Sequence, residues 1–152
     1  MPIQARYVHT NIVAKDWRAL ARFYQQVFGC EVILPERDHH GPWVQRATAV
    51  PDAQVRGAHI RLPGWGEDGP TLEIFEYNHL ADSPAPAINA LGLAHIAFSV
   101  DDVQSARRAV LEAGGSDYGE VVTTPVPGAG TITLVYMTDP EGNILELQHW
   151  SD

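Results

Sequence analysis

Hydrophobic and polar positions along the chain follow two periods, and the switches between them mark out the elements. Residues 7–13 (YVHTNIV) alternate with period two, Val8, Thr10 and Ile12 against Tyr7, His9, Asn11 and Val13, which predicts a strand. Asp16 then stands at an N-cap position, followed by Trp17, Leu20, Ala21, Tyr24, Val27 and Phe28 at helical spacing. Gly29 offers the positive φ that ends a helix. Residues 30–34 read as a short strand ended by Pro35. Residues 57–62 (GAHIRL) and 71–77 (TLEIFEY) alternate again, with Leu72 and Ile74 on one face and Glu73, Phe75 and Tyr77 on the other. Residues 37–56 hold two adjacent histidines, Gly41-Pro42, Trp43 and Pro51. That is long for a structureless loop, so the segment predicts either a strand over 44–50 or a lid or binding loop.

After residues 78–89, which carry Ser83-Pro84-Ala85-Pro86 and no period, the pattern starts again. Residues 91–102 (LGLAHIAFSVDD) give a strand holding His95, and Asp102 caps a helix with Val103, Ala106, Val110 and Leu111 on its apolar face. Gly114-Gly115 stops that helix. A strand over 120–124 is broken by Pro125 and Pro127. Residues 131–137 (TITLVYM) and 143–150 (NILELQHW) form a strand pair around the turn Asp139-Pro140-Glu141-Gly142.

The restart is a repeat. A shift of 86 positions carries His9 onto His95, Asp16 onto Asp102 and Gly29 onto Gly115. A shift of 73 carries Leu72-Glu73-Ile74 onto Leu145-Glu146-Leu147, so loop lengths differ between the halves. Such self-similarity is a fold-level signal. Each half reads as βαβββ, giving an α+β protein with a first module over 1–80, a linker over 81–89 and a second module over 90–152.

Composition narrows the function. The 152 residues are 45% hydrophobic and 19% charged, which predicts a folded globular chain. A net charge of −9 and a pI near 5.1 argue against nucleic acid as a partner. One cysteine, Cys30, excludes an intrachain disulfide, and Glu31 beside it is the wrong sign to activate a thiol. With no leader-like start and no membrane-spanning apolar run, the expectation is a soluble cytoplasmic protein.

Candidate chemistry comes from the repeat. Strand alternation puts His9, Glu73, His95 and Glu146 on the faces opposite their helices. A lone histidine on such a face is either a hydrogen-bonded core residue or a ligand, and a lone glutamate is usually paired at a rim. Four of them in a repeated His-then-Glu order form an N2O2 set, suited to Ni, Co, Zn, Mn or Fe rather than to Ca. His59 and Arg61 share a face and either line the same cup or form a solvated strand face. Arg61 is a candidate for a substrate carboxylate. Phe75 is a pocket or core residue, and Trp43, with Arg46 and Arg56, is a lid candidate or a loop anchor.

The stretches YVHTNIVAKDWRALARFYQQVFG, TLEIFEYN, GLAHIAFSVDDVQSARRAVLEAGG and YMTDPEGNILELQHW resemble the vicinal oxygen chelate superfamily. That superfamily includes glyoxalase I, methylmalonyl-CoA epimerase, extradiol dioxygenases and fosfomycin or bleomycin resistance proteins. Residues 36–56 lie outside the resemblance. It implies paired βαβββ modules forming a cupped, incomplete mixed β-barrel with helices outside, one vicinal oxygen chelate domain in all, and a homodimer. The His, Glu, His, Glu order is similar to glyoxalase I, which implies His9, Glu73, His95 and Glu146 as ligands of a divalent metal. It also implies that Glu146, or Glu73 by symmetry, is the base. The implied function is a lyase that moves a proton next to a metal-chelated carbonyl through an enediolate, acting on a small carbonyl or thioester compound. An epimerase of the methylmalonyl-CoA kind is the alternative enzyme. A metal-free ligand-binding or drug-sequestering protein of the bleomycin-resistance type is the alternative of another class.

Overall fold

The structure is a computed structural model that describes residues 1–152. It contains three helices and nine strands in two mixed sheets, an α+β architecture as the sequence predicts. The chain divides into two units, Met1–Asp82 and Ser83–Asp152, each with its own sheet. Neither sheet closes on itself.

In the first unit the sheet order is β1 (His9–Val13), β4 (Thr71–Tyr77), β3 (Val55–Arg61), β2 (Glu31–His39). β1 runs parallel to β4, and the other pairs are antiparallel. Helix α1 (Trp17–Phe28) begins where expected: Asp16 accepts from Ala19 N, and Gly29 ends it at φ 69°. Its buried Leu20, Ala21 and Tyr24 are the helix side of a core whose sheet side is Ala58, Ile60, Leu72 and Ile74.

Two expectations fail in this unit. Residues 37–56 form no strand over 44–50. They finish β2, form helix α2 (Pro42–Thr48) and turn into β3. Pro42 at the first helical turn suits a helix start, because its missing N–H has no partner there anyway. Val44, on α2, is 2% exposed and packs with Ala53, Val55, Phe75 and Tyr77. Pro35 does not end its strand either. β2 continues through it, with a shift of register between Ile33 and Arg37. β2 is an edge strand, where a proline at an irregularity removes no ladder hydrogen bond.

In the second unit β5 (His95–Ser99) runs parallel to β9 (Ile144–Ser151), and β9 pairs antiparallel with β8 (Gly130–Thr138). The short β6 (Ser116–Asp117) and β7 (Val122–Val126) pair with the two ends of β8. The strand expected over 120–124 is β7, which runs on to Val126 with Pro125 inside it rather than breaking it, and β6 was not expected. β7 pairs only with β8, so Pro125 costs nothing on its outer side. Asp102 caps α3 (Val103–Glu112) by accepting from Ser105 N. Val103 and Val110 from this helix are buried, as are Val135, Met137, Leu145 and Leu147 from the sheet.

Candidate metal centre

The side chains opposite the helices come together within each unit. In the first unit β4 is central. Asn11 of β1 and His59 of β3 stand directly across from Glu73, and His9 lies one pleat away on the same face. Glu73 is consequently surrounded by nitrogen. His59 Nε2 is 2.9 Å from Oε2, His9 Nε2 is 3.4 Å from Oε1, and Asn11 Nδ2 donates to Oε1 at 3.0 Å. The other ring nitrogen of His59 lies 2.8 Å from Thr71 Oγ1. The His9 and His59 rings meet edge-on, 5.2 Å between centroids. Burial pushes His59 below its ordinary pKa against the opposing pull of Glu73, and the charges of Arg37 and His9 add to the lowering. A neutral imidazole is the form that binds a metal.

The second unit repeats the face with different neighbours. His95 Nε2 lies 4.0 Å from Glu146 Oε1. Across from Glu146 stands Tyr136, whose hydroxyl is hydrogen-bonded to it and whose ring meets His95 edge-on at 5.1 Å. Burial, and then this carboxylate, raise the Tyr136 pKa, so the hydroxyl keeps its proton and donates. Gln148 Nε2 donates to Glu146 Oε2, and Trp150 Nε1 in turn donates to Gln148 Oε1 at 2.6 Å. Glu146 is 8% exposed, a buried carboxylate held by neutral donors.

The His–Glu separations of 3.4 and 4.0 Å exceed the roughly 2.7–3.2 Å of an N–H···O bond. Histidine and glutamate facing across such a gap are the donor chemistry of a borderline divalent cation, and one donor atom each from His9, His59 and Glu73 lie within 4.8 Å of one another. The residues present therefore fit a metal.

The other predicted residues are placed as follows. Arg61 shares the face of His59, but its guanidinium is bonded to Glu31 Oε2 at 2.7 Å. Phe75 lies on the Glu73 face and packs under α2 with Val44 and Tyr77. Trp43 is half exposed on α2, with its ring 5.2 Å from that of His39. A cavity of about 430 Å³ opens beside α2, lined by His40, Pro42, Gln45, Arg46, Asp52 and Gln54, none of them a predicted ligand. Sequence reasoning missed Tyr136, Asn11 and Gln148. Alternation signals Asn11 and Gln148, each two positions from a predicted ligand in its own strand, whereas only the β8–β9 register sets Tyr136 across from Glu146.

The sequence profile of the glyoxalase/bleomycin resistance protein/dioxygenase superfamily matches residues 6–147. The chain belongs to this superfamily. No curated protein matches the sequence. Among solved structures, a glyoxalase family protein from Bacillus cereus is 20% identical, with a TM-score of 0.82 over 99% of this chain and 97% of that one. A glyoxalase family protein from Enterococcus faecalis is 24% identical, with a TM-score of 0.57 over 95% and 96%. A glyoxalase I variant from Zea mays is 20% identical, with a TM-score of 0.62 over 93% of this chain and 46% of that one. At these identities the likenesses carry the fold; the reaction of this superfamily member has to be argued from its own side chains.

Proposed function

We propose that this glyoxalase-superfamily chain is a divalent-metal-dependent enzyme, similar to glyoxalase I, that moves a proton on the carbon next to a carbonyl. The observation that carries this is the repeated pair: in each unit a histidine from the first strand faces a glutamate from the last, at 3.4 and 4.0 Å. His9, Glu73, His95 and Glu146 are the residues that would hold the ion, which is one of Ni, Co, Zn, Mn or Fe. When bound, the metal supplies a Lewis acid that stabilises negative charge on a substrate oxygen.

The chain's own contribution is proton handling and orientation. Glu146 takes the proton from the substrate carbon and returns it at the neighbouring position. Gln148 and Tyr136 fix its carboxylate by donating to it, so it is aimed before substrate arrives. Its burial keeps competing water away from the transferred proton. Glu73, gripped by two imidazoles and an amide, is the less mobile carboxylate and the poorer base. The substrate is a small carbonyl compound or thioester, and the protein is a homodimer.

The test is metal analysis of the purified protein with deuterium exchange into a panel of α-keto hemithioacetals and 2-methylmalonyl thioesters. The expected result is about one metal per chain and exchange at the carbon next to the carbonyl, abolished in Glu146→Gln with metal retained. Exchange confined to the thioesters, with interconversion of their two epimers, assigns the epimerase reaction instead. Metal-free protein whose stability ignores a chelator overturns the enzyme reading in favour of a binding protein.

A further inference from the structure

We propose that Arg37 binds an anionic group of the substrate on the sheet face that carries Glu73, and that the substrate is therefore a carbonyl compound bearing a carboxylate. The proposal rests on the metal-dependent reading above and names the substrate class that such a site takes.

The register of the first sheet places Arg37 one row from Glu73. Arg37 of β2 stands across from Gly57 of β3, and Gly57 stands across from Phe75 of β4. His59 and Glu73 form the next row on the same face. Ile33 pairs with His59 and Arg37 with Gly57, so residues 34–36 stand against Ala58 alone. An irregularity of this kind re-aims a strand, and here it returns β2 to the sheet with Arg37 on the side of His59 and Glu73. The guanidinium is near enough to His59 for its charge to help lower the imidazole's pKa.

The charge of Arg37 has no counterpart within the protein. The carboxylates of its own strand are engaged elsewhere: Glu31 with Arg61 at 2.7 Å, Glu36 with Arg18 at 2.6 Å and Asp38 with Arg56 at 3.7 Å. Arg37 forms no ion pair, and its Nη1 donates to the carbonyl of Pro35, which leaves most of its N–H donors for a ligand. In a chain of net charge −9, this half-buried guanidinium is a local anion position and not part of a basic surface. One guanidinium balances one negative charge, and its planar fork matches a carboxylate, which favours that group over a doubly charged phosphate. The two rows are about 7 Å apart. Beyond Arg37 the face is closed by α2, where Val44 packs on Val55, Phe75 and Tyr77 and the Trp43 ring lies 5.2 Å from that of His39. A carboxylate held there belongs to a short chain, a few bonds from a carbonyl at the Glu73 row. The competing explanation is that Arg37 is only a solvated residue of an edge strand.

Titration of the full chain with levulinate, its methyl ester and the phosphonate of the same length separates the two, followed by proton–nitrogen NMR on zinc-loaded protein and again after a chelator. Levulinate should bind about tenfold or more tightly than its ester in both preparations, since one charge-assisted pair distinguishes them. The Arg37 Nε–H signal should move with levulinate and not with the ester, a readout that needs no variant to fold. Arg37→Gln should abolish the preference, and Arg37→Lys, which keeps the charge without the fork, should restore part of it. In the deuterium-exchange assay Arg37→Gln should raise KM for a carboxylate-bearing α-keto hemithioacetal about tenfold with kcat retained, and leave KM for a neutral one unchanged. Equal or absent binding of acid and ester, a preference that survives Arg37→Gln, or one that vanishes with the metal overturns the role of Arg37 and leaves the metal-dependent enzyme standing. Tighter binding of the phosphonate than of levulinate overturns the carboxylate class. A preference for levulinate in a protein that exchanges no proton on any substrate keeps the anion site and removes the enzyme reading instead.

Discussion

Asp16 and Asp102 start their helices in the same way, each Oδ1 accepting from the backbone N–H three residues on at 3.0 Å. Without this bond an N–H of the first turn loses its partner, so replacing either aspartate by alanine should cost about 1 kcal/mol. Urea unfolding of the two alanine variants measures it, and asparagine, an equally good cap, should recover most of the loss. Cys30 makes a prediction of the opposite kind. Burial pushes its thiol up to about 11, so the folded chain keeps that proton longer than the unfolded chain, whose thiol ionises near its ordinary value of about 9. With fewer protons on the unfolded state, its contribution to stability is intact below pH ~9 and is lost as the pH rises from there through ~11. Chemical denaturation between those pH values should show a steeper alkaline loss in the native protein than in Cys30→Ala. The thiol should also react slowly with a disulfide reagent until the chain unfolds, since the protonated form is a poor nucleophile.

Helix α2 shows why one element can be illegible while its neighbours are plain. Its seven residues carry one buried apolar side chain, Val44, too little to set up a helical period. What holds it is packing on Val55, Phe75 and Tyr77, strands distant in sequence. Val44→Ala should therefore cost about 2 kcal/mol, transfer plus cavity, against under about 0.5 kcal/mol for an exposed residue of the same helix such as Arg46→Ala. Thermal unfolding of the two variants gives the comparison. β3 and β4 approach so closely at Gly57 that a Cβ there would sit 1.9 Å from Ile74 O and 2.7 Å from the Phe75 ring. Gly57→Ala should cost more than Val44→Ala, because backbone must move. The long helices, the glycine stop of α1 and the four His and Glu positions were legible because each is encoded within one element and then repeated. The passage of β2 through Pro35 and of β7 through Pro125 was not, because edge position is a property of the sheet order. The same limit hid the contact of His59 with Glu73. Alternation put both on one face, but only the β3–β4 register sets one across from the other.

For the whole molecule, the proposed metal binding would be linked to folding, because the unfolded chain has no assembled donors. An ion at a hundred times its dissociation constant should raise stability by about 2.7 kcal/mol, and a chelator should reverse this. Where that stabilisation appears distinguishes the ways of dividing the ligands. An ion held by His9, His59 and Glu73 ties together β1, β3 and β4, so hydrogen exchange should slow in those strands of the unit Met1–Asp82. An ion that draws equally on His95 and Glu146 should slow exchange to a similar degree in β5 and β9. Mass-spectrometric hydrogen exchange with and without cobalt resolves the two, since peptides covering residues 9–13 and 95–99 belong to equivalent strands of equal length. Protection confined to the first strand set means that one repeat has become the metal holder. Under the proposed function the other, with Tyr136 where the first has His59, then serves to orient Glu146.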